Sequence, residues 1–204
     1  MVAANGASPA PSLVLVGMMY SGKSSCGREL AKRIGGVFFD TDEEVERLAG
    51  SGIPEIWERE GESGFRSHEA KAISALRNRG REPVVVATGG GVLTTEGAGC
   101  SLREIGSVVY LRATPETLAR RARSDVGMSD SGPMEDFSSV GTRPLIQDAI
   151  NLGPGALERR FEELLLQRSE VYESAADVVV DVDELTTREL AEAILDAVGV
   201  ARDR

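Results

Sequence analysis

The sequence predicts a doubly wound α/β domain, in which helices cover both sides of a parallel sheet. Apolar runs that are rich in Val and bounded by Gly, Pro or Asp alternate along the chain with helix-forming segments. Strands that are buried on both faces of a parallel sheet have this composition. The predicted strands are residues 13–17, 37–40, 83–88, 107–111 and 177–182.

Helices are predicted between these strands, and two of their starts carry capping signals. Thr114 precedes Pro115, which places an N-cap residue before a proline in the first helical position. Thr41 and Glu44 have the spacing of a capping box. The alternation of strand and helix favours an α/β domain without internal repeats. The predicted helices are residues 22–34, 42–49, 62–79, 115–124, 156–174 and 187–198.

Length and composition indicate one domain and weigh against several functional classes. The 204 residues are 41% hydrophobic, which suits a single compact core over residues 13–200. A net charge of −10 disfavours general binding to nucleic acid or to anionic membranes. Two cysteines are too few for a zinc site, and no apolar run reaches the roughly 18 residues of a membrane span. Residues 1–12 lack the features of a signal peptide, so we expect a disordered leader on a cytoplasmic protein.

Residues 17–24 have the spacing of a phosphate-binding loop, with Gly17, Gly22, Lys23 and Ser24 at its defining positions. In such a loop, backbone N–H groups bind phosphates, the lysine reaches the β- and γ-phosphates, and the hydroxyl can ligate Mg²⁺. The spacing also arises by chance, but the strand pattern before it and the helical pattern after it favour a nucleotide loop. Lysine occurs at only three positions in the chain, which indicates a specific role for Lys23.

The third predicted strand weighs against a GTPase switch. It ends in Thr88 and the glycines 89–91, and it carries no aspartate to support a metal ion. The chain also has no Asn-Lys-x-Asp sequence for reading guanine. A replacement for the missing acid follows the second strand, where Asp40 and Asp42 are separated by one residue.

Asp40 and Asp42 have two interpretations. Ligands of α/β sheets bind beyond the carboxyl ends of the strands. Asp40 could therefore support Mg²⁺ while Asp42 binds an acceptor hydroxyl and takes or orients its proton. Alternatively, the two residues form an ordinary acidic helix N-terminus.

Further candidates lie in the next helix and in the glycine run. Phe65 is expected in the core or in a pocket wall, and Arg66 faces either a substrate carboxylate or its helical neighbours Glu62 and Glu69. Glycines 89–91 either offer backbone N–H groups to a substrate oxygen or form a permissive turn. Aspartates for hydroxyl groups and arginines for an anion together indicate a small polyhydroxylated acid as the acceptor.

Residues 124–142 interrupt the strand and helix pattern. They are polar and rich in Gly and Ser, and a run of this length in a compact domain is usually a lid or disordered. Arg143 stands at its far end.

On these residues the chain resembles the shikimate kinases, a family of P-loop small-molecule kinases. The resemblance extends over about residues 12–200. Gluconate kinases share the loop and the Asp-x-Asp pair but lack the combination of G-E-x-x-F-R and T-G-G-G. The motifs that carry the resemblance are G-x-x-x-S-G-K-S at 17–24, D-T-D at 40–42, G-E-x-x-F-R-x-x-E at 61–69, T-G-G-G at 88–91, R-P-L at 143–145 and R-x-x-x-Y at 168–172.

The resemblance implies an architecture and an activity. The architecture is a five-stranded parallel sheet with helices on both sides, a helical substrate-binding subdomain at about 41–80 and a mobile lid at about 124–145. The activity is Mg²⁺-dependent transfer of the γ-phosphoryl group of ATP to the 3-hydroxyl of shikimate, in aromatic amino acid biosynthesis. The implied partners are ATP, ADP and shikimate, and the implied state is a monomer.

The resemblance also implies residue roles. Asp42 holds the hydroxyls of shikimate, Arg66 and Arg168 clamp its carboxylate, and Gly90 donates a backbone N–H. Arg143 neutralises the transferring phosphoryl group, and one arginine of residues 120–123 flanks adenine. The implied catalytic residues are Lys23, Asp42 and Arg143. The implied ATP-binding residues are Gly17, Ser21, Gly22, Lys23, Ser24, Ser25 and Arg143. The implied shikimate-binding residues are Asp42, Trp57, Phe65, Arg66, Gly89, Gly90, Gly91 and Arg168, and the implied metal ligands are Ser24 and Asp40.

The sequence departs from the family pattern at three positions and in the lid. Tyr20 replaces a small residue, Trp57 replaces a phenylalanine and Ser25 replaces a threonine, while the segment before Arg143 is longer and more acidic. Two alternatives follow. One is a kinase for another small hydroxy acid such as gluconate, in a pocket reshaped by Tyr20 and Trp57. The other is a catalytically silent nucleotide-binding protein, which the unusual lid would suit.

Overall fold

A five-stranded parallel sheet forms the centre of the protein. The structure, a computed structural model, describes residues 11–77, 82–95, 97–125, 145–152 and 155–200. Its strands are β1 Leu13–Val16, β2 Val37–Asp40, β3 Val84–Ala87, β4 Ser107–Arg112 and β5 Val178–Asp181. They occur in the order β2-β3-β1-β4-β5, and every neighbouring pair is parallel. The predicted strands and the predicted fold class are therefore confirmed.

The central strands are buried on both faces, as their composition predicts. All four side chains of β1 are fully buried. Because successive side chains of a strand point to opposite faces, helices must cover both sides of the sheet at β1. The edge strands β2 and β5 are partly exposed, and Val37 and Val179 are each 41% exposed.

Within the described ranges, eight α-helices surround the sheet. Helix α1 packs against α8, and α5 packs against α7. A 3-10 turn, Val92–Thr94, follows β3. The helices are α1 Lys23–Ile34, α2 Thr41–Ala49, α3 Ile53–Arg77, α4 Ala98–Arg103, α5 Pro115–Asp125, α6 Gln147–Asn151, α7 Ala156–Ala175 and α8 Thr187–Ala197.

The helix predictions hold for the long elements and are wrong for three details. Helix α3 is interrupted at Gly61, whose φ of 67° and ψ of −170° are not helical, so the predicted start at residue 62 agrees with its second part. Its first part, which begins at Ile53, was not predicted. Proline and glycine within this stretch hide the periodic pattern on which the prediction rests. Helices α4 and α6 were not predicted, because elements of six and five residues are too short to show a helical period.

The third error concerns the start of α2. Asp40 is its N-cap, and the Asp40 carboxylate accepts a hydrogen bond from the backbone N–H of Asp42 at 3.0 Å. The predicted capping box of Thr41 is wrong, because the Thr41 hydroxyl instead accepts from the N–H of Gly89 at 2.9 Å. This bond ties the end of β2 to the end of β3. By contrast, Thr114 caps α5 as predicted, since its hydroxyl accepts from the N–H of Thr117 at 3.3 Å.

Strand order brings three chain segments together at one edge of the sheet. Because β3 lies between β2 and β1, the residues that follow all three strands leave the same end of the sheet as neighbours. The N–H of Thr88 and its hydroxyl both donate to the carbonyl of Leu15, at 3.1 and 3.0 Å. The carboxyl ends of parallel strands are where ligands bind in folds of this kind.

Candidate active site

The loop between β1 and α1 has the geometry of an anion-binding turn. Gly17 adopts φ 140°, and a Cβ at this position would lie 2.7 Å from the carbonyl oxygen of Leu111, so only glycine fits. Gly22 is the N-cap of α1 and makes no side-chain cap hydrogen bond to its first turn. The positive end of the helix is thereby left for an anion.

Lys23 is buried within this loop, with 8% of its surface exposed. Its Nζ donates to the carbonyl oxygens of Gly17 at 2.9 Å and Met18 at 2.7 Å. Ser21 is also fully buried, and its N–H donates to Met18 at 3.1 Å. Gly17 and Ser21 therefore shape the loop, whereas Lys23 lines the cleft above it.

Ser24 and Asp40 join the loop to the end of β2. The Ser24 hydroxyl donates to Oδ2 of Asp40 at 2.6 Å, while Oδ1 of Asp40 accepts from the N–H of Asp42. A hydroxyl beside a carboxylate is the kind of oxygen donor pair that Mg²⁺ prefers. Among the described residues, no group of three or more His, Cys, Asp or Glu side chains is arranged to hold a metal ion. A divalent cation here would thus need further ligands from phosphate oxygens or water.

Arg66 pairs with its helical neighbours and also lines the cleft. Its Nη1 donates to Oε2 of Glu69 at 2.8 Å and its Nη2 to Oε1 of Glu62 at 3.1 Å. The side chains of Arg66 and Glu69 are 14% and 2% exposed. Burial raises the pKa of Glu69, Arg66 opposes this rise, and the charge of Asp42 adds to it. The predicted pairing of Arg66 with Glu62 and Glu69 is therefore present, and its contact with a substrate carboxylate stays a prediction.

The glycine run allows these carboxylates to approach the end of β3. A Cβ on Gly89 would lie 2.7 Å from Oε1 of Glu69 and 2.8 Å from Oδ1 of Asp42. A side chain at this position would therefore displace both acids. Gly91 lies against the guanidinium of Arg66, so the glycine run lies close to Asp42, Glu69 and Arg66.

Helix α7 contacts the glycine run through two side chains. Nη1 of Arg168 donates to the carbonyl oxygen of Gly90 at 3.2 Å, and the hydroxyl of Tyr172 donates to the same oxygen. Both side chains are buried, at 7% and 1% exposed. Tyr172 also stacks on Tyr110 at a centroid distance of 5.0 Å, and burial raises the pKa of Tyr172 to about 12.

These elements enclose one cleft of about 560 Å³. Trp57 and Phe65 form an aromatic part of its wall, with ring centroids 5.7 Å apart. The predicted site residues that line it are Gly22, Lys23, Ser24, Ser25, Asp40, Asp42, Trp57, Phe65, Arg66, Gly89, Gly90, Gly91 and Arg168. Arg143 lies outside the described residues, as does the predicted lid from 126 to 144. Asp125 and Leu145, which flank that segment, both line the cleft.

Arg121 and Phe161 contact the phosphate loop from outside it. Arg121 donates through Nη1 to the carbonyl oxygens of Tyr20 and Ser21, at 3.2 and 3.1 Å. It is therefore the arginine of residues 120–123 that reaches the loop. Tyr20 has φ 65°, the one non-glycine residue of the described chain with a positive φ. Its ring meets Phe161 of α7 edge to face, with centroids 6.2 Å apart.

Sequence reasoning left two contributors out of the site, Glu69 and Tyr172. Each stood in a motif that carries the resemblance, but neither was assigned a role. The signal for Glu69 was its helical spacing from Arg66, and the signal for Tyr172 was its spacing of one turn from Arg168.

Comparison with known proteins identifies the family. The family model for shikimate kinase matches residues 19–199. A shikimate kinase from a Synechococcus species is 41% identical over 184 residues, which cover 90% of this chain and 80% of that protein. The solved structure of shikimate kinase from Acinetobacter baumannii in complex with shikimate matches with a TM-score of 0.75 and 34% identity, covering 92% of both chains.

A gluconokinase from Sinorhizobium meliloti also matches, with a TM-score of 0.53 and 23% identity over 94% of this chain and 92% of that one. Identity at this level shows a shared fold and does not extend to function. The family model and the 41% identical relative each span most of the chain. The protein therefore belongs to the shikimate kinase family.

Proposed function

We propose that this protein transfers the γ-phosphoryl group of ATP to the 3-hydroxyl of shikimate, giving shikimate 3-phosphate and ADP. The observation that carries the proposal is the composition of a single cleft. Residues of the phosphate-binding loop, the glycine run, Arg66, Arg168 and Asp42 all line the same cavity. This arrangement suits an acceptor with both hydroxyl groups and a carboxylate.

The nucleotide end supplies positive potential and backbone donors. Loop N–H groups, the start of α1 and Lys23 would bind the β- and γ-phosphates. To do so, the Lys23 ammonium would exchange the carbonyl oxygens of Gly17 and Met18 for phosphate oxygens. Ser24 and Asp40 would hold Mg²⁺, directly or through water, and the ion would neutralise charge on the phosphates.

Asp42 is proposed to act on the acceptor hydroxyl. When the hydroxyl oxygen bonds to the γ-phosphorus and the bond from that phosphorus to the leaving oxygen of ADP breaks, the hydroxyl proton is lost. Asp42 would accept or orient this proton. The Asp40 carboxylate accepts a hydrogen bond from the backbone N–H of Asp42, which leaves the Asp42 carboxylate to act on the acceptor hydroxyl while Asp40 serves the metal ion.

Arg66, Arg168 and the glycine run are proposed to hold the carboxylate. Glu69 uses Nη1 of Arg66 and Glu62 uses Nη2, while Nε of Arg66 has no hydrogen-bond partner among the described residues. The exposed Glu62, whose side chain is 61% exposed, is the partner that a substrate carboxylate would replace most readily. Trp57 and Phe65 would cover the ring of the acceptor.

The lid and the substrate-binding subdomain remain proposals. Residues 41–80 would supply the acceptor wall through α2 and α3, and Arg143 would add positive charge at the transferring phosphoryl group. Both flanks of the lid line the cleft, which supports this arrangement. Among the described helices, none combines the length and apolar character that a membrane crossing requires. The monomeric state and the cytoplasmic location stay predictions.

A coupled assay of ADP release with shikimate, with gluconate and without acceptor tests the proposal. Acceptor-dependent release with shikimate is expected, and Lys23→Ala is the control that should abolish it. Trp57 and Tyr20 both line the cleft and both depart from the family pattern, so a preference for gluconate would favour the kinase of another hydroxy acid. No acceptor-dependent release would favour the silent nucleotide-binding protein.

A further inference from the structure

We propose that Tyr172 is a positioning residue for the acceptor. Its hydroxyl fixes the peptide group between Gly90 and Gly91, and it positions Arg168 because both side chains donate to the carbonyl oxygen of Gly90. The proposal rests on the proposed function and assigns a task to a residue outside the cleft wall. The same oxygen of Gly90 accepts from Tyr172 and from Nη1 of Arg168.

Tyr172 is held rigidly enough to act as an anchor. It is 1% exposed and its ring stacks on Tyr110, which is itself 1% exposed. Burial raises the pKa of Tyr172 to about 12, so its hydroxyl keeps its proton and stays a donor over the range in which the enzyme works. A neutral donor of fixed direction suits the role of holding a carbonyl group.

Fixing this carbonyl also fixes the next amide. A peptide group is planar and trans, so the N–H of Gly91 points away from the carbonyl of Gly90. Donors from α7 hold that carbonyl, and the N–H of Gly91 therefore faces away from them. Gly91 lies beside the guanidinium of Arg66, in the wall assigned to the acceptor. Three glycines in succession have little conformational preference of their own, so their orientation depends on the hydrogen bonds made to them, including those to the Gly90 carbonyl.

Tyr172 also makes Arg168 available for a ligand. A buried carbonyl that loses its only donor costs free energy. If Arg168 were the sole donor to Gly90, turning toward a substrate carboxylate would leave that carbonyl unpaired. With Tyr172 in place, Arg168 can change its partner while Gly90 stays satisfied. The two residues lie one helical turn apart on α7, which sets them side by side at one oxygen.

The test compares Tyr172→Phe with Tyr110→Phe. Each variant removes one hydroxyl from the same stacked pair. The Tyr172 hydroxyl donates to Gly90, whereas the Tyr110 hydroxyl interacts with the side chain of Ser169. Shikimate affinity is read from the fluorescence of Trp57, the single tryptophan, which lines the cleft. Kinetics give KM for shikimate and KM for ATP separately. Without any ligand, amide hydrogen exchange reports on the hydrogen-bonded N–H groups at the glycine run, those of Gly89 and Val92.

We expect Tyr172→Phe to raise Kd and KM for shikimate about 5- to 30-fold, to leave KM for ATP within about twofold, and to speed exchange at the Val92 N–H, which bonds to the Gly89 carbonyl. Tyr110→Phe should change none of these by more than about twofold. Unchanged shikimate affinity in Tyr172→Phe would overturn the proposal. Equal losses for shikimate and ATP would also overturn it, since a purely structural role predicts them. If wild type does not phosphorylate shikimate, the proposed function fails, but unchanged exchange at Val92 in Tyr172→Phe would still refute the anchor by itself.

Discussion

Replacement of Arg66 by lysine separates a carboxylate-binding arginine from one that only stabilises α3. Arg66 makes two hydrogen bonds to acids of its own helix, at 2.8 Å to Glu69 and 3.1 Å to Glu62. Lysine keeps the positive charge and can keep the bond to Glu69, but it loses the planar fork that grips a carboxylate at two points. The fold should therefore tolerate Arg66→Lys, whereas the grip on the substrate should not.

The expected loss follows from the bonds that the substitution removes. A hydrogen bond between charged groups contributes about 1.5–3 kcal/mol. Loss of one such bond to the shikimate carboxylate corresponds to a rise in Kd of about 10- to 150-fold. ATP affinity should change less than about twofold, because Arg66 sits on α3 rather than in the phosphate loop.

The assay is a titration followed by Trp57 fluorescence, with shikimate and with an analogue whose carboxylate is reduced to an alcohol. Arg59→Lys is the matched control, since Arg59 belongs to the same helix, pairs with Glu60 at 2.6 Å and is 55% exposed. The analogue should bind wild type weakly and be indifferent to Arg66→Lys. If Arg66→Lys lowers the affinity for the analogue as much as the affinity for shikimate, Arg66 stabilises the fold and the carboxylate assignment is wrong.

Four further outcomes are expected. Lys23→Ala should abolish phosphoryl transfer while circular dichroism stays unchanged, because the ammonium acts on phosphates, and normal turnover with MgATP would exclude the nucleotide role. Asp42→Asn should retain nucleotide binding and reduce turnover about 10²- to 10⁴-fold, and a loss below about threefold would remove Asp42 from proton transfer. Hydrogen exchange over 124–145 should slow when an ATP analogue and shikimate bind together, and identical exchange in the saturated complex would argue against a lid. Because the pKa of Glu69 is raised above its ordinary 4.5 in the folded state, ionisation of Glu69 should lower stability as pH rises from 4.5 through the folded pKa, and denaturation of Glu69→Gln over that range should lack this contribution.

The strands and the phosphate loop could be predicted because their causes are local. The apolar runs of β1 and β3 are buried on both faces of the sheet, as their composition predicts. Gly17 and Gly22 have positive φ, a conformation that glycine adopts readily. The part of α3 before Gly61 could not be predicted in the same way. Ile56, which precedes Gly61, is buried in one cluster with Phe65 and Val45, and a window along the chain does not contain these contacts.

The parts of the site that the sequence did not reveal depend on distant partners. Thr41 was expected to cap its own helix, but its hydroxyl bonds to Gly89, which is 48 residues away. Tyr172 and Gly90 are separated by 82 residues. The register of the arginines at 120–123 was open for the same reason, since adjacent helical positions point in different directions and only the folded loop shows that Arg121 meets Tyr20 and Ser21.

Among the residues that the structure describes, the three cations assigned to the substrates have one feature in common. Lys23 and Arg168 are 8% and 7% exposed, and the Arg66 side chain is 14% exposed, so each charge needs an internal acceptor when no ligand is bound. Lys23 uses loop carbonyls, Arg66 uses Glu69, and Arg168 uses Gly90. If these residues bind the substrates as proposed, binding exchanges one partner for another, and its net free energy is smaller than that of the new contacts alone. The same logic predicts that truncating a cation strands its acceptor, so a conservative substitution measures its contribution to binding better than alanine does.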